Sequence, residues 1–302
     1  MPQIATDTVT LEYDERGSGQ PLILIMGLGA QMTRWPEEFC DKLADKGFRV
    51  IRYDNRDVGL SQKMEADGPP DMAAAMQAIA AGQRPNVAYD LHDMAADAIA
   101  LLGALGIAKA HVVGASMGGM IGQLVAADYP DRVLSFCSIM STTGGRDLPP
   151  AKPEAMAILT QRGPDPSQDL EGALAFAVRA QQTIGSPAYP ADVELVRQRA
   201  ARDMQRSYYP VGFQRQYAAV LATGDRRAKL ANITAPTVVI HGADDPLVPV
   251  EGGRDTAKHI AGAELVEIAG MGHDIPTGLY DRIVDVVARN AQRASTVQEQ
   301  VA

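Results

Sequence analysis

With 302 residues, 46% hydrophobic and 22% charged, the chain can bury a sizeable core as one large domain or as one domain carrying an insertion, and its composition is that of a globular protein. A net charge of −9 with no basic patch argues against nucleic acid or an anionic membrane surface as a partner. No apolar run approaches the roughly 18 residues of a membrane span, and the N-terminus lacks a basic region followed by an apolar core, so neither a span nor a signal peptide is expected.

Residues 9–14 alternate and lead into Glu15-Arg16-Gly17-Ser18-Gly19, an early strand and turn. The continuous apolar run 21–26 is typical of a strand buried on both faces, and it closes with Gly27-Leu28-Gly29, a loop suited to close backbone approach. A helix follows over 36–46, with Pro36 in its first turn and Gly47 just past its end. Residues 48–53 form another buried strand, opening into the polar stretch Asp54 to Ser61; 63–85 then reads as irregular, with an alanine-rich middle. Helical spacing returns over 90–105, and 110–113 and 132–140 are further strands. Cys40 falls in the first helix and Cys137 in the last of these strands; with no CxxC pairing, buried free thiols in a reducing cytoplasm are the expectation.

Strands alternating with helices mean βαβ units, hence an α/β fold with a mostly parallel central sheet covered on both faces. From 142 to 231 the alternation stops. Leu148-Pro149-Pro150 to Pro153 is linker-like, and helical segments follow near 170–182, 191–204 and 212–221. The expected organisation is therefore a core of 1–142 and 231–302 with a helical cap over 143–230. The sheet pattern resumes at 236–241 and 263–269, and 279–292 reads as a closing helix.

Within this frame Gly114-x-Ser116-x-Gly118 stands between an apolar strand and a helix-like run. A strand turning directly into a helix holds the serine in a strained conformation, and side chains two residues to either side would collide with it, which accounts for the glycines. Ser116 then stands at the carboxyl end of a parallel strand and at a helix N-terminus, where free N–H groups favour negative charge. It is the candidate nucleophile.

A serine hydroxyl needs a base, and the base needs an acceptor that fixes its tautomer. His92 and His259 lie in helices, and His111 begins the Ser116 strand at the far end of the sheet. His241 ends a strand on the correct side and suits a supporting position. Only His273, in Gly270-Met271-Gly272-His273, sits in a glycine-flanked loop after a late strand, so it is the candidate base. Gly242-x-x-Asp245-Pro246 supplies the acid from Asp245, leaving Asp244 to bond locally. A metal site at Asp244, Asp245, His241 and His273 finds no HxxxH spacing or carboxylate cluster to support it. The tetrahedral oxyanion of acyl transfer would take the backbone N–H of Met117 and of Leu28. Candidate pocket residues are Trp35 and the aromatic cluster Tyr208, Tyr209, Phe213 and Tyr217, for which packing of the cap on the core is the competing reading.

In chain order these motifs resemble the α/β-hydrolase superfamily, whose triad also runs Ser, Asp, His. Within it, Ile51-Arg52-Tyr53-Asp54-Asn55-Arg56-Asp57-Val58-Gly59-Leu60-Ser61 and the Ala115 to Met120 elbow are similar to bacterial carboxylesterases of the aclacinomycin methylesterase type. One departure is Met26, where many hydrolases carry histidine. The resemblance implies a serine hydrolase of small-molecule carboxylic esters, with no cofactor, and with Ser116, Asp245 and His273 as triad and Leu28 and Met117 as oxyanion donors. Lactone hydrolysis, perhydrolysis and carbon–carbon cleavage are alternatives on the same triad, and a noncatalytic binding protein is the alternative of another class.

Overall fold

The computed structural model describes residues 2–301, and the side chains of residues 2–294. Its centre is an eight-stranded sheet: β1 Gln3–Ala5, β2 Thr10–Arg16, β3 Gln20–Ile25, β4 Phe48–Tyr53, β5 Ala110–Ala115, β6 Val133–Ile139, β7 Thr237–Gly242 and β8 Glu264–Ile268. The strand order is β1-β2-β4-β3-β5-β6-β7-β8. The first two pairings, β1 with β2 and β2 with β4, are antiparallel, and every later one is parallel.

The apolar runs become strands because both faces of the sheet are covered. Along β3, Ile23 and Ile25 pack with Val112 of β5 on one face, beneath helices α3 (Leu91–Ala104) and α4 (Met117–Asp128). Leu22 and Leu24 pack with Val113 on the other, beneath α1 (Glu37–Asp45) and α11 (Tyr280–Val301). A period-2 chain buried on both sides has no polar face to show, which is why its sequence reads as uninterrupted hydrophobics. Cys40 in α1 and Cys137 in β6 are buried free thiols; burial pushes the Cys40 thiol up to about 12 and that of Cys137 further still.

Two segments differ from the sequence reading. The alanine-rich middle of 63–85 is a helix, α2 (Met72–Ala80), because Asp71 caps it by accepting the N–H of Ala74 and alanine has the highest helix propensity. The linker-like prolines after residue 148 run directly into α5 (Pro153–Thr160), with Pro153 at a first-turn position where a missing N–H costs nothing. The chain between β6 and β7 carries α5, α6 (Leu170–Ile184), α7 (Val193–Arg206), α8 (Pro210–Thr223) and α9 (Arg227–Leu230), with no strand among the described residues. After β7 comes α10 (Val250–His259).

The polar stretch after β4 is interior. Asp54 and Asp57 are fully buried, and Asn55, Arg56 and Ser61 nearly so. Arg215 of α8 grips Asp57 with two bonds of 2.7 Å, Arg206 of α7 bonds Asp54 at 2.6 Å, and Arg56 forks onto Asp97 of α3 at 2.6 and 2.7 Å. These charges are tolerable inside only because each is matched and hydrogen-bonded. The Arg206 and Arg215 pairs also fasten the inserted helices to the loop after β4.

Candidate active site

Ser116 follows β5 directly and is the N-cap of α4, at φ 54° and ψ −120°, a left-handed conformation rare for a residue with a side chain. Its N–H donates to Ile139 O at 2.8 Å, and its carbonyl accepts Gly119 N–H and the Ser141 hydroxyl. The flanking glycines answer a different crowding from the one expected. A Cβ at Gly114 would lie 2.1 Å from Gly118 O, and a Cβ at Gly118 would lie 2.0 Å from Ile25 O. Backbone packed on backbone, rather than the serine side chain, excludes them.

His273 comes from the loop after β8 and Asp245 from the loop after β7. The Ser116 Oγ lies 3.0 Å from His273 Nε2, and His273 Nδ1 lies 2.7 Å from Asp245 Oδ2. The other carboxylate oxygen of Asp245 accepts the N–H groups of Leu247 and Val248, each at 2.9 Å. Asp245, an acceptor at both oxygens, leaves His273 Nδ1 to donate and Nε2 to accept from the serine hydroxyl. Asp244 points elsewhere: its Oδ2 accepts Gly270 N–H at 2.7 Å, tying the acid loop to the histidine loop.

The remaining histidines sit where the chain order puts them. His241 is buried at the end of β7, its Nε2 bonded to Val248 O at 2.8 Å and 3.8 Å from Asp245 Oδ2; burial lowers its pKa and keeps it neutral. His111, the second residue of β5, bonds Ser135 and Gln20. His92 pairs with Asp128, and His259 ends α10.

The loop after β3 lies against the serine, since a Cβ at Gly27 would sit 3.2 Å from Ser116 Cβ. Gly29 N–H is occupied by Gln216 Oε1 at 2.8 Å and Ala30 N–H by Gly27 O, whereas the Leu28 N–H makes no hydrogen bond among the described residues. Met117 opens α4, so its N–H is one of the leading donors with no partner inside the helix. With Met26 in the histidine position noted above, the loop takes its support from other groups. Asn55 Nδ2 donates to Met26 O at 2.9 Å, and Asp54 accepts Met32 N–H at 2.7 Å. Gln216 carried no motif, and Asn55 stood in the stretch after β4 without an assigned role; only their place in the fold reveals what they hold.

Ser116, His273 and Leu28 border a cavity of about 500 Å3, which residues of α5 to α7 such as Leu159, Ile184 and Val196 also line. The aromatic residues expected to line it are elsewhere. Trp35 is fully buried and stacked on Phe39, with ring centroids 5.7 Å apart. Tyr208, Tyr209 and Phe213 border a second cavity of about 330 Å3, and Tyr217 stacks on Phe213. Phe213 packs on Gly29, and Tyr209 accepts a bond from Arg215, so α8 turns its aromatic side to the buried polar loop rather than to the serine. Tyr189 borders the cavity instead.

A mostly parallel sheet that presents a serine on a strand-to-helix elbow, with a histidine and an aspartate delivered by the loops of the last two strands, defines the class of α/β hydrolases. A family profile described as "alpha/beta hydrolase fold" matches residues 20–276, and the chain belongs to that family. It is similar to rhodomycin D methylesterase DnrP of Streptomyces peucetius, 29% identical over 97% of this chain and 98% of the relative, as the elbow and the stretch after β4 led us to expect. A 2-hydroxy-6-oxononadienedioate/2-hydroxy-6-oxononatrienedioate hydrolase of Burkholderia vietnamiensis is 28% identical over 87% of this chain and 84% of the relative. Among solved structures, a meta-cleavage product hydrolase from Pseudomonas fluorescens IP01 superposes with a TM-score of 0.76 over 97% of this chain and 98% of that one, at 20% identity, a likeness of fold. Among the described residues, no helix is long and apolar enough to cross a membrane.

Proposed function

We propose that the protein is a serine carboxylesterase acting on small-molecule esters through an acyl-enzyme. The observation that carries the reading is the hydrogen-bonded chain from Asp245 through His273 to Ser116 at the edge of the 500 Å3 cavity.

His273 takes the Ser116 proton as Oγ attacks the ester carbonyl, and Asp245 stabilises the imidazolium that results. The oxyanion is met by the N–H groups of Leu28 and Met117, reinforced by the positive end of α4. His273 then protonates the leaving alcohol. Water, deprotonated by the same nitrogen, attacks the acyl-enzyme, and collapse releases the acid and returns the proton to Ser116. No cofactor enters this cycle. The inserted helices, about 143–230, act as a cap that sets which ester fits. A reducing cytoplasmic setting accords with two thiols buried apart from one another, in α1 and β6.

The test is hydrolysis of p-nitrophenyl acetate and butyrate, together with intact-mass labelling by a fluorophosphonate. Turnover and a single adduct, both absent from Ser116→Ala, are expected. A folded wild-type protein that takes no label is a binding protein instead. Lactones, a vinylogous diketone and a peroxide assay in the same panel rank the other reactions open to this triad.

A further inference from the structure

The residue after the base, Asp274, has no part in the cycle above, yet it borders the same cavity as Ser116 and His273. Its carboxylate is fixed on both sides by neutral donors. The Ser186 hydroxyl donates to Oδ1, and Gln181 Nε2 donates to Oδ2 at 2.7 Å. The Ser186 backbone N–H adds a third bond to the carboxylate, which keeps room for one more donor. Among the described residues Asp274 forms no ion pair with lysine or arginine, although most buried or half-buried carboxylates here, Asp54, Asp57 and Asp97 among them, face a guanidinium. Much of its surroundings is apolar, with Ile184, Leu247 and Ile275 on the same cavity wall. Burial raises its pKa and outweighs the lowering by its hydrogen bonds and by neighbouring His273.

We propose that Asp274 is a recognition subsite for a protonated amine on the substrate, and thus that the preferred esters carry a cationic amino group. The inference rests on the esterase reading and narrows its substrate class. A carboxylate held by hydrogen bonds, with no lysine or arginine partner and with apolar residues around it, is stabilised when a cation enters, and an N–H donor fills its remaining hydrogen-bonding capacity. A neutral chain of the same shape gains nothing there. The net charge of −9 also draws cations toward the molecule. Two guanidiniums, Arg34 and Arg199, border the cavity as well, so a preference for anionic esters is the opposing outcome.

The experiment compares kcat/KM for methyl 6-aminohexanoate, methyl heptanoate and monomethyl adipate, which place an ammonium, a methyl group and a carboxylate at the end of similar chains. Wild-type protein is expected to favour the amino ester over methyl heptanoate by roughly 10- to 100-fold, the range of a hydrogen bond to a charged group. In Asp274→Asn, which keeps the shape, that ratio falls toward one, and Asp274→Glu, which keeps the charge, restores part of it. A merely structural role in holding α6 lowers all three rates together and leaves the ratio unchanged, which overturns the proposal. A wild-type preference for methyl heptanoate or for the adipate overturns it without any variant. Loss of turnover on every ester, with no fluorophosphonate label, removes the esterase reading itself.

Discussion

Asp245 divides its carboxylate between two tasks: Oδ2 holds His273 Nδ1 at 2.7 Å, while Oδ1 is pinned by the Leu247 and Val248 N–H groups at 2.9 Å. The acid is therefore fixed by its own loop before it fixes the base. Asp245→Asn keeps the shape but offers an N–H where an acceptor is needed, so either His273 takes the wrong tautomer or the amide turns away. Turnover of p-nitrophenyl butyrate should fall by about ten-thousand-fold, with the fold retained by circular dichroism. A loss under tenfold would show that Asp245 does not orient the base.

The backbone at Ser116 carries strain that glycine relieves. Ser116→Gly should be more stable to urea than Ser116→Ala by about 1 kcal/mol, because a φ of 54° costs an alanine and not a glycine. Both variants should be inactive and unlabelled. Equal midpoints for the two would show that the elbow is unstrained.

Gly118→Ala tests the crowding at the same turn. The added Cβ would lie 2.0 Å from Ile25 O, a backbone atom of a central strand that cannot retreat. A loss of about 3 kcal/mol or more is expected in urea unfolding, a scale reserved for severe overpacking.

The Arg215–Asp57 pair predicts a large asymmetric penalty. Asp57 also accepts the Tyr89 hydroxyl and the Met64 N–H, so removing only the guanidinium leaves a buried carboxylate with neutral partners. Arg215→Leu should cost about 3–5 kcal/mol in urea unfolding, and pairing it with Asp57→Asn should recover part of that loss. A double variant no more stable than the single one would mean that Arg215 acts by packing alone.

His111 gives the fold a defined acid sensitivity. Burial lowers its pKa from 6.5 to about 4, and its ring accepts from Ser135 and donates to Gln20 in the neutral form. Between those two values the unfolded chain binds a proton that the folded chain does not, so stability rises with pH across the window and is lost as pH falls through it. The full effect is on the order of 3 kcal/mol. His111→Gln should flatten the stability profile between pH 4 and 6.5, read by urea midpoints at several pH values.

The strands and the triad loops were legible because each rests on a local rule. Doubly buried parallel strands read as continuous apolar runs, and the elbow, Gly242-x-x-Asp245-Pro246 and Gly270-x-Gly272-His273 carry turn residues with a conformational reason. What escaped depends on long-range packing. The spacing of Phe213 and Tyr217 shows an aromatic helix face but not which neighbour receives it, and α8 gives it to Gly29 and the buried loop. Asp54 to Ser61 reads as a polar connection with no sign of its burial, because its partners, Arg206 and Arg215, lie about 150 residues away in the chain. Asp274 meets Gln181 and Ser186 only because α6 returns to the sheet edge.

That return of α6 also governs the base. His273 N–H donates to Ile184 O at 2.7 Å, Gly272 N–H donates to Ser186 Oγ at 2.9 Å, and Ala188 N–H donates to Gly270 O at 3.1 Å. The imidazole thus borrows its backbone anchorage from the inserted helices as much as from the sheet that ends beside it. Gln181 and Ile184 of α6 also border the cavity, so one wall of the cavity and the proton acceptor share a single scaffold, and a substitution that loosens that helix is felt at the imidazole.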